Sequence, residues 1–193
     1  YEYVDLGLPS GLKWAKCNIG AETETEYGDY FMWGSTKPNT TQECNWTNAP
    51  FNNGSNSCDE EYFNTHKSEW LDDNGNLKPE FDAATQIMGG NWRMPTKGDI
   101  QELLYNTDNK WTQVNGVNGF KFTGSNGNYI FIPAAGDCYN GSVFSVGGDG
   151  YVWCSTLDTS GPRKAWSINF YSSFFNVTPS DRYIGKSVRG VRK

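Results

Sequence analysis

The chain has 193 residues, with 22 acidic against 16 basic side chains and a net charge of −6. That balance excludes nucleic acid as the expected partner, because phosphate binding needs a concentrated basic face, and no apolar run approaches a membrane span. The length fits one domain over 1–193, and 36% hydrophobic with 16% aromatic content predicts a core of a few large rings.

In chain order, Tyr3-Val4-Asp5-Leu6 and Leu12-Lys13-Trp14-Ala15 read as short strands around the turn Pro9-Ser10-Gly11. Tyr27 to Gly34 is a further apolar segment bounded by glycine. From Ser35 the composition turns to Asn, Thr, Ser, Asp and Gly, which predicts a loop-rich insertion over 35–80. Pro79 suits a first helical turn, and Phe81, Ala84, Ile87 and Met88 share a face before Gly89-Gly90 stops the helix. Thr96 reads as the N-cap of a second helix, with Asp99 as capping-box partner and Ile100, Leu103 and Leu104 as its buried stripe.

After Asn106 only strands and turns are expected. Phe120–Phe122 and Tyr129–Ile132 flank Asn126-Gly127, a hairpin signal. Val143–Val146 is expected to pair with Tyr151–Ser155 across Gly147-Gly148-Asp149-Gly150. Ala165–Phe170 alternates, with Trp166, Ile168 and Phe170 on one face and Ser167 and Asn169 on the other. Ser187–Val191 is the last strand, and the basic residues Lys186, Arg189, Arg192 and Lys193 read as its solvated edge. Strands, two helices, then strands is an α+β order.

Five cysteines leave at least one unpaired. Cys44 and Cys58 flank a polar segment and are placed to close a loop in an oxidising compartment. With no CxxC and His66 as the one histidine, a structural zinc site lacks its usual ligands. Asp72, Asn74 and Asn76 alternate like the start of a calcium loop, but the glycine and terminal glutamate of an EF-hand are not in place, which leaves a turn. Neither metal nor cofactor is expected. Cys138 and Cys154 lack a basic or histidine-containing neighbourhood in the sequence, and no nucleophile, base and orienter group together, so no catalysis is expected.

Tyr3 to Ala15, Tyr27 to Gly34, Asp82-Ala83-Ala84, Trp92-Arg93-Met94-Pro95-Thr96 and Ser187-Val188-Arg189 fall in one order across nearly the whole chain outside the insertion. Together they resemble a bacterial domain family, the Fibrobacter succinogenes major paralogous domain, common in Bacteroides-type surface proteins. The resemblance implies a C-type lectin fold of the formylglycine-generating-enzyme-like branch. That fold has two helices around short, mostly antiparallel twisted sheets with long loops, and paired terminal strands. Some relatives are variable proteins of diversity-generating retroelements, in which adenine-directed mutagenesis rewrites the end of the gene. The corresponding variable ligand-binding region here is 137–186. The implied location is a bacterial cell surface, exported or lipoprotein-anchored, or a phage virion, with the chain's start at Tyr1 leaving room for a targeting segment upstream. The implied partner is a protein or glycan on a cell or phage-host surface.

The candidate ligand contacts fall in two groups. The first is Asp137, Tyr139, Asn140, Phe144, Asp149 and Tyr151. The second is Asp158, Arg163, Lys164, Trp166, Tyr171, Phe174, Phe175, Asn176, Asp181, Tyr183 and Lys186. Tyr and Phe offer large contact area with little rotamer entropy to lose, and Asn and Asp add adaptable hydrogen bonds. An exposed Phe174-Phe175 pair is expected to serve binding, since it otherwise costs solubility. The alternatives are a fixed structural or adhesin module of a surface or pilus protein and a formylglycine-generating-like enzyme. Trp14, Trp33, Trp92, Phe131 and Trp153 are the expected rigid frame.

Overall fold

The computed structural model describes all 193 residues. The chain opens with strands β1 (Tyr3–Asp5) and β2 (Lys13–Ala15), which pair antiparallel around the predicted turn. The insertion follows, and it is more ordered than its composition suggests. It carries helix α1 (Glu60–Trp70), capped by the Asp59 carboxylate, which accepts from the Tyr62 N–H, and started by Glu60 and Glu61 in the first turn. Only Phe63 and Trp70, two turns apart, are buried, so the apolar stripe is too thin to show as periodicity.

Pro79 does not begin the second helix. It opens a separate turn of 3-10 helix (Pro79–Phe81), and α2 (Ala83–Met88) starts only after Asp82. The Asp82 carboxylate accepts from the N–H groups of Thr85 and Met94, capping the helix and holding the next segment at once. Helix α3 (Lys97–Tyr105) has the predicted capping box of Thr96 and Asp99, and buries Ile100 and Leu103. Three helices therefore replace the expected two.

Strands β3 (Asp108–Val114), β4 (Val117–Thr123) and β5 (Tyr129–Pro133) form an antiparallel meander. The tight hairpin sits at Asn115-Gly116, both at positive φ (49° and 78°), which joins Val114 directly to its partner Val117. Asn126-Gly127 lies in the longer loop between Thr123 and Tyr129. Strands β6 (Asp137–Tyr139) and β7 (Ser142–Phe144) pair around a second such turn, Asn140-Gly141. The expected pairing of Val143–Val146 with Tyr151–Ser155 is therefore wrong: Asn140-Gly141 turns the strand back first. The Gly147 N–H then donates to the Ala134 carbonyl, folding the glycine-rich segment onto the end of the meander.

Strands β8 (Gly150–Leu157), β9 (Lys164–Tyr171) and β10 (Phe174–Asp181) form an antiparallel sheet in the order β10-β9-β8. Ser187 makes a single bridge to Val152, and the last strand, β11 (Val191–Arg192), is shorter than predicted and pairs with β2. The two ends of the chain thus share one sheet, β1-β2-β11. The architecture is α+β, with three helices and several small antiparallel sheets.

The largest apolar cluster packs Leu6, Trp14, Ile100, Phe122, Ile132, Val152 and Phe170 between these sheets and α3. A second cluster gathers Trp33, Trp153 and Val188 with Phe63, Trp70 and Leu77 of the insertion. Trp14, Trp33, Trp92, Phe131 and Trp153 are all buried, each ring adding a large apolar area to the core.

The basic end of the chain is not a solvated edge. Arg189 is fully buried, donating to Asn18 Oδ1 (2.8 Å) and to the carbonyls of Ala15 (3.0 Å), Lys16 (2.7 Å) and Phe131 (2.8 Å). Those acceptors rivet the terminal sheet to the meander, while burial lowers the guanidinium pKa to about 10. Arg182 is the matching rivet for the insertion. It is buried, donates to the carbonyls of Pro162 (2.7 Å) and Pro50 (2.9 Å), and lies over the Phe63 ring. Lys186 is buried as well.

Candidate functional site

Residues opposite one another in an antiparallel sheet project from the same face. In the β8-β9-β10 sheet the row Val152, Ile168, Val177 and the row Phe170, Phe175 face inward to the main core. The alternate rows, Tyr151, Asn169, Asn176 and then Tyr171, Phe174, make up the outer face. The Phe174-Phe175 pair is therefore split. Phe174 stacks on Tyr171 with centroids 4.9 Å apart on the outer face. Phe175 packs against Phe120 (5.5 Å) and Phe122 (5.4 Å), so it belongs to the edge of the core rather than to an exposed pair. Trp166 also faces inward, half-buried, with Lys97 Nζ 3.5 Å from its ring centroid.

The β6–β7 hairpin contributes Tyr139 and Phe144, whose rings stack at 4.3 Å. Phe144 is 39% exposed, and Val143 and Val146 beside it are 37% and 49% exposed. With Tyr171, also 39%, they make up half of the large hydrophobic side chains this protein leaves open to water. Asn140 sits at the hairpin tip, exposed, with its positive φ serving the turn.

On the same side of the sheet as Tyr151, but covered from water, lies a buried polar group. Lys186 is 1% exposed, with Nζ 3.9 Å from the centroid of the Tyr151 ring and 4.0 Å from Asp137 Oδ2. The Tyr151 hydroxyl donates to Asp149 Oδ2 at 3.3 Å. Burial brings the Lys186 pKa down to about 8, with Asp137 opposing the shift. Burial also raises the Asp137 carboxyl, more than the lysine 4.0 Å away lowers it. Asp137 and Lys186 are thus beneath the surface, not on it.

The rest of the second group lies at the other end of the sheet. Lys164 and Asp181 are seven register steps from Tyr171 and Phe174, about 23 Å along the strands. There Arg163 grips Asp181 through Nε (2.9 Å) and a second nitrogen (3.1 Å). Tyr183 packs against Trp46 with ring centroids 5.1 Å apart and the planes tilted by 52°. Asp158 is buried, and its carboxylate accepts from the Ser160 N–H and hydroxyl, fixing the β8–β9 loop.

Besides Val143, three residues of these surfaces carried no binding assignment in the sequence. Asn169 shares the row of Tyr151 and Asn176, and its place opposite Ile168 and Phe170 in the alternation was its signal. Val146 borders the hairpin, hidden inside what reads as a strand. Trp46 comes from the insertion and meets Tyr183 only through the fold, so no local pattern marks it.

The largest cleft is elsewhere, a polar hollow of about 740 Å³ between α1, the 72–75 turn and the β8–β9 loop. Lys67, Lys78, Asp72 and Asp158 line it, but Asp72 is spent on the N–H groups of Asn74 and Asn76, and Lys78 Nζ donates to the Ser68 carbonyl. The aromatic pairs Tyr171–Phe174 and Tyr139–Phe144 lie outside this cleft.

The cysteines and histidine are also placed. His66 packs against Tyr62 and stacks on Trp70 on α1, its Nδ1 2.9 Å from the Tyr62 carbonyl. Cys154 is fully buried, and burial pushes its thiol pKa up. Cys44 meets Cys138, not Cys58 as its sequence position suggests, with sulfurs 3.0 Å apart. Cys58 instead lies 3.9 Å from an Arg182 nitrogen.

Compared with family profiles, curated proteins and solved structures, the chain gives no significant match.

Proposed function

We propose that this chain is a non-catalytic ligand-binding domain of C-type-lectin-like fold, with its contact surface on the outer face of β8-β9-β10 and the adjoining β6–β7 hairpin. The observation that carries the proposal is a pair of aromatic stacks on these elements, Tyr171 on Phe174 and the 39% exposed Phe144 on Tyr139, with Asn169 and Asn176 in the row next to the first. Exposed aromatics rimmed by asparagine suit a protein surface or the apolar face of a sugar. They stand on hydrogen-bonded strands, so little conformational entropy is lost on binding.

The finer assignment, a retroelement-diversified variable protein of a bacterial surface or phage, draws on the motif order from Tyr3 to Arg189. It is supported by the sheet that joins both chain ends, and by the concentration of outer-face candidates within 137–186. Asparagine codons are rich in adenine, which fits Asn140, Asn169 and Asn176 as mutated positions. A fixed adhesin or structural module is the second reading, favoured by the inward placement of Trp166, Phe175 and Asp158 within the same stretch.

An array of glycans and bacterial surface proteins, probed with the wild type and with Tyr171→Ala, tests the surface. The expected result is capture of a discrete set of ligands by the wild type and its loss in a variant that unfolds at the same temperature. Equal capture by both proteins would remove this face from the binding reading.

A further inference from the structure

We propose that Cys44 and Cys138 form a disulfide cross-link, tying the insertion to the first strand of the β6–β7 hairpin. The inference goes beyond ligand binding and holds whatever the outer face recognises.

Four observations converge on this pair. The two sulfurs are 3.0 Å apart, in van der Waals overlap for separate thiols, and neither has solvent between it and its partner because both residues are fully buried. The backbones are already registered: the Asn140 N–H donates to the Cys44 carbonyl and the Gly141 N–H to the Thr41 carbonyl, each at 3.0 Å. On the other side, Cys138 and Gly185 exchange N–H···O bonds of 2.8 Å in both directions. Gly185 is where a side chain would collide with both sulfurs, so the fold keeps the space around the pair clear of carbon. Met32, Trp46 and Ala49 close the pocket as a small apolar cluster.

The remaining cysteines are placed differently. Cys154 is sealed in the main core, Cys17 points its sulfur at the Glu22 carbonyl, and Cys58 lies beside Arg182. The Cys44–Cys58 loop closure suggested by the sequence has no counterpart in the fold.

The chemistry needs a disulfide-donating oxidant, such as glutathione disulfide or a thiol oxidoreductase of an oxidising compartment. The Cys138 thiolate attacks one sulfur of the oxidant, whose S–S bond breaks and releases one thiol. Cys44 loses its proton to solvent and its thiolate attacks Cys138 Sγ in the mixed disulfide, releasing the second thiol. Two protein thiols are oxidised by two electrons and one oxidant disulfide is reduced to two thiols. Since both sulfurs are buried, exchange occurs before the turn at 40–46 closes during folding.

The link would fix the Tyr139–Phe144 hairpin against the insertion and close a loop of more than ninety residues, |i−j| being 94. Loops of that length gain most from cross-linking.

The test is to refold the purified chain in a mixture of oxidised and reduced glutathione, then block free thiols under denaturant and map peptides by mass spectrometry. The expected product carries one Cys44–Cys138 linked peptide, lighter by two hydrogens, with three of the five cysteines blocked. Reduction should lower the melting temperature by about 5–15 °C. Cys138→Ser should abolish the linked peptide and that temperature shift, and Cys58→Ser should keep both. Five blocked cysteines in the wild type, or a Cys44–Cys58 peptide, would overturn the proposal.

Discussion

Lys186 Nζ sits 4.0 Å from Asp137 Oδ2, over the Tyr151 ring and with almost no contact with water. The gap is too long for a hydrogen bond, so desolvation dominates and the lysine pKa falls to about 8 from an ordinary value near 10.5. Between those values the unfolded chain binds the proton more tightly, so this group's contribution to stability rises as pH climbs from about 8 to 10.5. The full rise is roughly 3 kcal/mol, since each tenfold change in proton affinity is worth about 1.4 kcal/mol. Lys186→Met should remove that upward slope. Urea denaturation of both proteins across the window measures it, and the difference between them cancels the cysteines and tyrosines that titrate nearby. Asp137, Asp149 and Asp181 are the acidic groups around the lysine. Parallel pH profiles would mean that the lysine is hydrated in solution.

The β9–β10 hairpin offers a direct test of which face is which. Tyr171→Ala should change stability by less than about 1 kcal/mol, because its ring is open to water on the outer face. Phe175→Ala, four residues on, should cost about 2–3 kcal/mol, because it removes the ring that packs on Phe120 and Phe122. Denaturation midpoints in the reverse order would invert the sheet's two faces.

Arg189 should be intolerant even of lysine. Its planar fork reaches acceptors on Asn18, Ala15, Lys16 and Phe131 at once, and an ammonium cannot span them. Arg189→Lys is expected to lose about 3 kcal/mol or more, with buried carbonyls left unpaired. Wild-type stability in this variant, measured by thermal or urea unfolding, would show that water fills the gap.

Much of the frame is legible because its signals are local. The Thr96–Asp99 capping box, the terminal strands around Pro9-Ser10-Gly11 and the strands flanking Asn126-Gly127 each depend on neighbouring residues. What escapes depends on distant ones. Helix α1 is held by Phe63 and Trp70 docking into a pocket that residues such as Trp33 and Ala165 complete, so its own periodicity is faint. Lys186 and Arg189 read as solvated because charge predicts exposure, whereas carbonyls from two other segments make burial of Arg189 tolerable. The candidate site was legible as a region but not as a surface. Tyr171 and Phe174 lie outside and Phe175 inside because the Ser172-Ser173 turn sets the register of β10 against β9.

The most direct measurement is the sequence of the DNA flanking this gene. A diversified binder predicts a near-copy of the segment encoding Asp137 to Lys186 beside a reverse-transcriptase gene, differing almost only at adenines. The differences should fall on outer positions such as Tyr151, Asn169, Tyr171, Phe174 and Asn176, and spare Val152, Ile168, Phe170 and Val177. No such copy, or substitutions spread evenly over both faces, would contradict a diversified surface and leave a fixed module in its place.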